Sequence, residues 1–286
     1  MKGKIIVVTG ASSGIGKATA SGLARMGAHV VMVSHHQARG EAAQIEVQMQ
    51  SGNSQVDLLL ADLSSQAEIR HLVGDLQARY PQLHGLINNA GVAPIKRSVT
   101  VDGLETILAV NYLAPFLLTN LLLKMLKASA PARVINVAGD FHRKATIRFD
   151  DLMSEVDYDN LRANNQAKLA LILFTYELAR RLEGTGVAVN CLHPGAVATG
   201  APLKDPHLSP FARLMYSLVK VFFLSPEKGA ETSIYLASSP EVEGVTGKYF
   251  IKKREVESSP VSYDREVAGR LWEVSLELTG LNAIDK

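Results

Sequence analysis

Two polar side chains lie near the start of the helical stretch NNQAKLALILFTYELARRL, residues 164–182: the carboxamide of Asn164 and, four residues on, the stretch's single lysine, Lys168. Positions i and i+4 share one face of a helix. An ammonium and a carboxamide side by side can bind and polarise a carbonyl oxygen, but an amide has no useful acidity. A second constellation opens the chain, where TGASSGIG (residues 9–16) follows an apolar strand and leads into the helical KATASGLARMG. Gly10, Gly14 and Gly16 let the backbone turn tightly and approach a pyrophosphate, with Ser12, Ser13 and Ile15 completing the turn. Free N–H groups at the helix start would stabilise the phosphate charge. Strand, glycine turn and helix in this order give the motif its meaning.

The end of the second strand decides which nucleotide fits. An acid there would hold the ribose hydroxyls of NAD. Ser34, His35 and His36 occupy it instead, then Arg39, with no acid before Glu41. A 2′-phosphate would meet partial positive charge, so NADP(H) is favoured over NAD(H), although neutral histidines bind phosphate weakly and could be surface residues with no role.

Short β-branched runs must position these groups. KIIVVT, AHVVMVS, QVDLLLA, LHGLIN, ARVINVA and GVAVNCL each precede a helical pattern, and GKYFI follows the helix that begins at Pro226. The alternation predicts an α/β Rossmann-type doubly wound parallel sheet of about seven strands with helices on both faces. IKKREVESSP reads as a charged turn before a C-terminal helix containing Trp272. No linker divides the chain, so residues 1–286 read as one domain, with residues 200–225 as a substrate lid within it.

The 286 residues are 47% hydrophobic and 20% charged, with a net charge of +2 and no basic run, which argues against a nucleic-acid partner. The single cysteine, Cys191, fits a reducing compartment, and the cytoplasm is expected. No metal-ligand set is assigned. The start of the chain has too short an apolar run for a membrane span; FARLMYSLVKVFFL (residues 211–224) reads as the most membrane-like segment, able to lie on a bilayer but not to cross it.

TGASSGIG, ADL at 61–63, NNAG at 88–91, Asn111 in VNYLAPF and HPGAVAT at 193–199 together resemble the short-chain dehydrogenase/reductase family. ELARRLEGTGVAVN and SPEKGAETSIYLASSPEVEGVTGKYF resemble its retinol-dehydrogenase-like branch. The resemblance implies that Asp62 and Leu63 border the adenine, that Asn88, Ala90 and Gly91 support the middle of the cofactor, and that Pro194, Gly195, Val197 and Thr199 border the nicotinamide. It implies a large, flat or polycyclic apolar substrate. It also implies a homo-oligomer paired through helices near residues 104–126 and 166–182.

The family catalyses carbonyl–alcohol redox with an Asn, a Ser, and a Tyr and Lys spaced Y-x-x-x-K. Asn111 and Lys168 match, but Gly139 stands at the serine and Asn164 at the tyrosine. Ala138 and Ala167 lack hydroxyls too, which suggests a quieter and roomier pocket. Loss of the acid alone costs roughly 10² to 10⁴ in rate. Tyr158 and His142 are candidate substitute acids, with Lys144 and His193 as further ones, though each also reads as an ordinary loop or capping residue. Three functions follow: an NADP(H)-binding enzyme running a non-redox step, such as cyclisation, isomerisation or elimination, on a lipophilic molecule; a reductase using a displaced acid or water; and a silent nucleotide-binding or scaffold subunit.

Overall fold

The computed structural model describes residues 1–197 and 223–281. Among them β1 (Ile5–Thr9), β2 (His29–Ser34), β3 (Val56–Leu60), β4 (Gly85–Asn88), β5 (Ala132–Val137), β6 (Val187–His193), β7 (Lys248–Ile251) and β8 (Arg254–Glu255) form one sheet. Its order is β3-β2-β1-β4-β5-β6-β7-β8. All pairings are parallel except β7 with β8. The eighth strand corrects the expectation of about seven. Lys252 and Lys253 turn with φ of 50° and 64°, and Arg254 and Glu255 then pair back on Ile251 and Phe250. Charge alone hid so short a strand.

Helices cover both faces, as the fully apolar strands require. On one side α1 (Gly14–Arg25), α2 (Gln37–Ser51) and α6 (Pro226–Ser238) enclose a core that includes Val8, Leu23, Val47 and Leu236. On the other lie α3 (Gln66–Arg79), α4 (Thr106–Ala128), α5 (Asn160–Arg181) and α7 (Arg265–Thr279). Here α4 counts as one helix interrupted by a π turn at Ala109–Leu113. It is also apolar enough to cross a membrane, with a mean hydropathy of 1.7, but 78% of that window is buried inside the fold. Its apolar character is that of a core helix, not of a surface segment. Most of residues 211–224, and of the expected lid at 200–225, lie outside the described residues.

The C-terminal helix is clamped hard. Trp272 packs edge-on against Phe116 at 5.0 Å, lies 5.9 Å from Phe174, and has the Arg181 guanidinium 4.1 Å above its ring. Tyr112 and Ser275 share a hydrogen bond of 2.6 Å. α7 thus covers, within the same chain, part of the α4–α5 surface expected to pair with a second copy.

Two buried histidines act as neutral acceptors: His84 Nδ1 takes the Ile5 N–H at 3.2 Å and His142 Nε2 takes the Ser259 N–H at 3.1 Å. Burial holds both below their ordinary pKa of 6.5. In the unfolded chain each accepts a proton below that value, so their contribution to stability is whole above pH 6.5 and is lost as the pH falls through it toward the lower folded values. Thermal unfolding followed by circular dichroism at pH 5 to 7 should show a melting temperature that rises with pH, with a shallower slope in His142→Asn. Trp272→Ala should cost about 3–5 kcal/mol in urea unfolding.

Candidate active site

The glycine turn and the NNAG turn meet where β1 and β4 lie side by side and their connections diverge. A β-carbon on Gly10, whose φ is 64°, would lie 2.9 Å from Ala90 Cα. One on Gly16 would fall 2.4 Å from both Gly10 O and Asn89 Nδ2. The Thr9 hydroxyl accepts the N–H groups of Asn89 (2.9 Å) and Ala90 (3.0 Å), and Asn89 Nδ2 donates to Thr9 O at 2.8 Å. α1 begins at Gly14 with Ser13 at its N-cap, and no side chain caps the first N–H groups. With no acid in the first turn, they are left for an anion. Thr9 and Asn89 were not singled out by sequence; a threonine ending an otherwise apolar strand was the available signal.

The residues expected to face the nucleotide divide by their surroundings. His35 is exposed, and Arg39 Nη2 donates to its Nε2 at 3.3 Å. Arg39 Nε is buried without a partner among the described residues, the state expected of a donor awaiting an anion. His36, Gln37 and Glu41 line the adjoining hollow, and Gln37 Nε2 binds the Glu41 carboxylate at 2.8 Å. Asp62 is exposed and accepts the Ser64 N–H at 2.9 Å, whereas Leu63 is buried. Asn88 does not face the groove: its Nδ2 donates to Thr119 Oγ1 at 3.0 Å and Asn136 Oδ1 at 2.8 Å, and the residue is 2% exposed. It supports the site from beneath. Pro194, Gly195 and Val197 follow β6, and Val197 bridges to Leu224. Gly229 on α6 makes room for Val197 and Ile15 together, since a β-carbon there would lie 2.6 Å from one and 3.2 Å from the other. Thr199 lies outside the described residues.

Asn111, Asn164, Lys168 and Gly91 converge. Asn111 sits in the π turn of α4, 2% exposed; such turns recur at functional sites. Its Oδ1 accepts the Val92 N–H at 2.8 Å, and its Nδ2 donates to Val92 O at 2.8 Å and to Asn164 Oδ1 at 3.1 Å. A β-carbon on Gly91 would lie 3.3 Å from Asn111 Oδ1 and 4.0 Å from Lys168 Nζ. Lys168 Nζ donates to Val137 O at 3.1 Å, and burial lowers its pKa to about 8. Val92 was missed by sequence because its part is played by backbone atoms.

Gly139 has φ 153° and ψ 171°, a conformation that side chains rarely adopt. Its carbonyl accepts from His142 Nδ1 at 2.8 Å and Tyr249 OH at 3.1 Å. Among the described residues, a β-carbon there would meet only Phe141 Cδ2, at 4.0 Å. Ala138 and Ala167 are buried, at 4% and 0% exposed, so they do not widen a pocket. Of the four positions lacking a hydroxyl, the open space lies at Gly139 and the half-buried Asn164.

Two of the candidate substitute acids are engaged with other partners. His142 is wholly buried with both ring nitrogens engaged, by Gly139 O and the Ser259 N–H. Tyr158 lies ahead of α5 and donates to Pro94 O at 3.2 Å; burial, with the Glu105 and Asp159 carboxylates, pushes its pKa up to about 12. Lys144 is exposed on the turn after Gly139. His193 ends β6, where burial lowers its pKa and leaves Nδ1 without a partner among the described residues.

The family model for short chain dehydrogenase matches residues 4–205. Human retinol dehydrogenase 14 is 43% identical over 295 residues, covering 98% of this chain and 88% of that protein. A crystal structure of a protein from Mycobacterium paratuberculosis superposes with a TM-score of 0.78 at 30% identity, covering 98% and 94% of the two chains. A short chain dehydrogenase of Shigella flexneri, solved in complex with NADP, shares the fold at 21% identity, with a TM-score of 0.70 over 89% and 98%. A glycine turn seated against Ala90, an Asn111 fixed in a π turn and a Lys168 reaching back to β5 are therefore the local structure of a retinol-dehydrogenase-like chain that belongs to the short chain dehydrogenase family.

Proposed function

We propose that this protein binds NADP(H) across the junction of β1 and β4 and holds a lipophilic small molecule beside it, for a step driven by positioning and oxygen polarisation rather than by a tyrosine acid. Cyclisation, isomerisation and elimination are reactions of that kind. The observation that carries the reading is the amide of Asn164, held by Asn111 at 3.1 Å in the place where the family's pattern has a phenol. Carboxamides donate hydrogen bonds but surrender no proton. Orientation alone can lower a barrier by several kcal/mol.

The residues present fit the dinucleotide. The first turn of α1 and the glycines at 10, 14 and 16 would receive its pyrophosphate, and His35 with the unpartnered Arg39 Nε would receive a 2′-phosphate. Gly91, Lys168 and the loop from Pro194 to Val197 would border the nicotinamide end. Bound there, NADP(H) supplies a hydride donor or acceptor. Asn164 and Lys168 would orient the oxygen of the second ligand and balance charge on it.

One observation favours a second reading. Burial lowers the Lys168 pKa to about 8, and its ammonium, which donates to Val137 O at 3.1 Å, could serve a reductase as acid. Incubation with NADPH and a panel of apolar ketones and aldehydes separates the two readings. Product formed without oxidation of the nicotinamide supports the first; product that strictly requires NADPH and carries its deuteride label refutes it.

Calorimetric titration should show NADPH binding more tightly than NADH, with Arg39→Ala weakening NADPH by about tenfold to a hundredfold and leaving NADH nearly unchanged. At Gly139, serine should not simply restore the family's pattern. Its β-carbon has room, but the φ of 153° opposes it. Gly139→Ser and Gly139→Ala should each lose about 1–3 kcal/mol in urea unfolding, whereas Asn164→Ser, at ordinary helical backbone, should lose less.

A further inference from the structure

We infer that Tyr158 is a positioning residue: it straps the chain leaving β4 to the segment before α5, so that Val92, Ile95, Val156 and Leu161 form one apolar rim that receives the ligand's tail outside Asn164. This rests on the reading above that a lipophilic small molecule occupies the site, with its oxygen at Asn164 and Lys168.

The first turns of α5 pass from apolar to polar along one face. Leu161 and Asn164 stand three residues apart and Asn164 and Lys168 four apart, so all three share that face. Leu161 is exposed, whereas Asn164 and Lys168 are half-buried. At about 1.5 Å per residue, Leu161 lies about 10 Å from Lys168 along the helix axis. Val92 reaches the same place from β4: its backbone holds Asn111 through two bonds of 2.8 Å, Asn111 holds Asn164, and its own side chain is exposed. Two exposed apolar side chains from distant parts of the chain are thus tied to Asn164, one through its helix and one through Asn111.

Further out, two hydrogen bonds join the same two segments. Tyr158 OH donates to Pro94 O at 3.2 Å, and Arg97 Nε donates to Met153 O at 3.2 Å. The Tyr158 ring packs against the core, which aims its hydroxyl at the other segment. Ile95 adjoins Pro94 and is exposed; Val156, two residues before Tyr158, is 61% exposed. Val156 is presented by a turn in which Ser154 and Asp157 hold φ of 48° and 49°, a left-handed conformation that costs free energy in residues other than glycine. Such backbone persists where its surroundings fix it, here through the Arg97 bond and through Asp151, which accepts the Glu155 N–H at 2.7 Å. Residues 92–97 and 154–162 carry Lys96, Arg97 and Arg162 against Glu155, Asp157 and Asp159, three bases and three acids. Without net charge the rim has no electrostatic pull on an anionic bilayer. Its continuity with Asn164, at Val92 and Leu161, assigns it instead to the tail of the molecule held there.

The test titrates the whole chain, saturated with NADP⁺, with 2-hexanone, 2-decanone and 2-tetradecanone by equilibrium dialysis, with NADP⁺ affinity followed in parallel. Affinity should rise by about threefold to fourfold per methylene while the tail crosses the rim. Val156→Asp and Leu161→Asp should flatten that rise, costing about tenfold for 2-tetradecanone and little for 2-hexanone, with NADP⁺ affinity unchanged. Tyr158→Phe, which removes only the hydroxyl bond to Pro94, should give the same length-dependent loss at about threefold, whereas a merely structural role would weaken all three ketones and NADP⁺ alike. If the variants keep the wild-type rise, or lose one factor at every length, the inference fails while the lipophilic-ligand reading stands. If the aspartates flatten the rise and Tyr158→Phe does not, Tyr158 positions nothing and the inference fails. If Val156→Asp instead releases the protein from phosphatidylcholine vesicles and leaves the ketone series unchanged, the rim meets a bilayer, and the inference again fails. A wild-type protein that holds NADP⁺ but none of the ketones overturns both.

Discussion

The close approach of Gly10 to Ala90 is the constraint on which the site is built. At the junction of β1 and β4, two turns from opposite sides of the sheet come so near that a β-carbon on Gly10 would lie 2.9 Å from Ala90 Cα. Thr9 and Asn89 fix that contact with hydrogen bonds in both directions. On one side the contact aims the glycine turn at the first turn of α1. On the other it fixes the direction in which Ala90, Gly91 and Val92 leave β4. Val92 holds Asn111, and Asn111 holds Asn164. A single backbone contact thus connects the nucleotide turn to the helix that carries Lys168.

Beneath that route, polar side chains bind one another across the core. Asn88, Asn136 and Thr175 form a buried chain across β4, β5 and α5 at 2.8 and 2.9 Å, and Thr175 returns its proton to Leu171 O at 2.8 Å. His142 is likewise satisfied at both nitrogens, fastening the turn after β5 to the segment before α7. Buried polar groups are costly when unpaired, so those that remain free are informative. Arg39 Nε is one such group among the described residues, and it is a donor.

The C-terminal helix shows the same economy in apolar terms. Trp272 closes the aromatic cluster of Tyr112, Phe116 and Phe174, which holds α4 and α5 in the relative position that brings Asn111 within 3.1 Å of Asn164. Stability and site geometry are therefore coupled through those two helices.

The order of strands and helices, the glycine turn and the i, i+4 pairing of Asn164 with Lys168 were legible in the sequence because each is local: β-branched runs, glycines at fixed spacing and one helical turn. The two-residue β8 was not, since a charged Arg-Glu pair becomes a strand only by bonding to β7. Asn88 looked like a cofactor contact because it lies beside Ala90 and Gly91, yet the alternation of a strand turns its side chain into the core. His142 and Tyr158 looked available as acids because their chemistry allows it, and only their partners, Ser259 at 117 residues' separation and Pro94 at 64, show them engaged. The sequence by itself determined which residues stand at the motif positions, Asn164 and Gly139 among them. Tertiary structure decided which way the Asn164 amide points, because that depends on the fixed donor and acceptor of Val92, transmitted through Asn111 from another part of the chain.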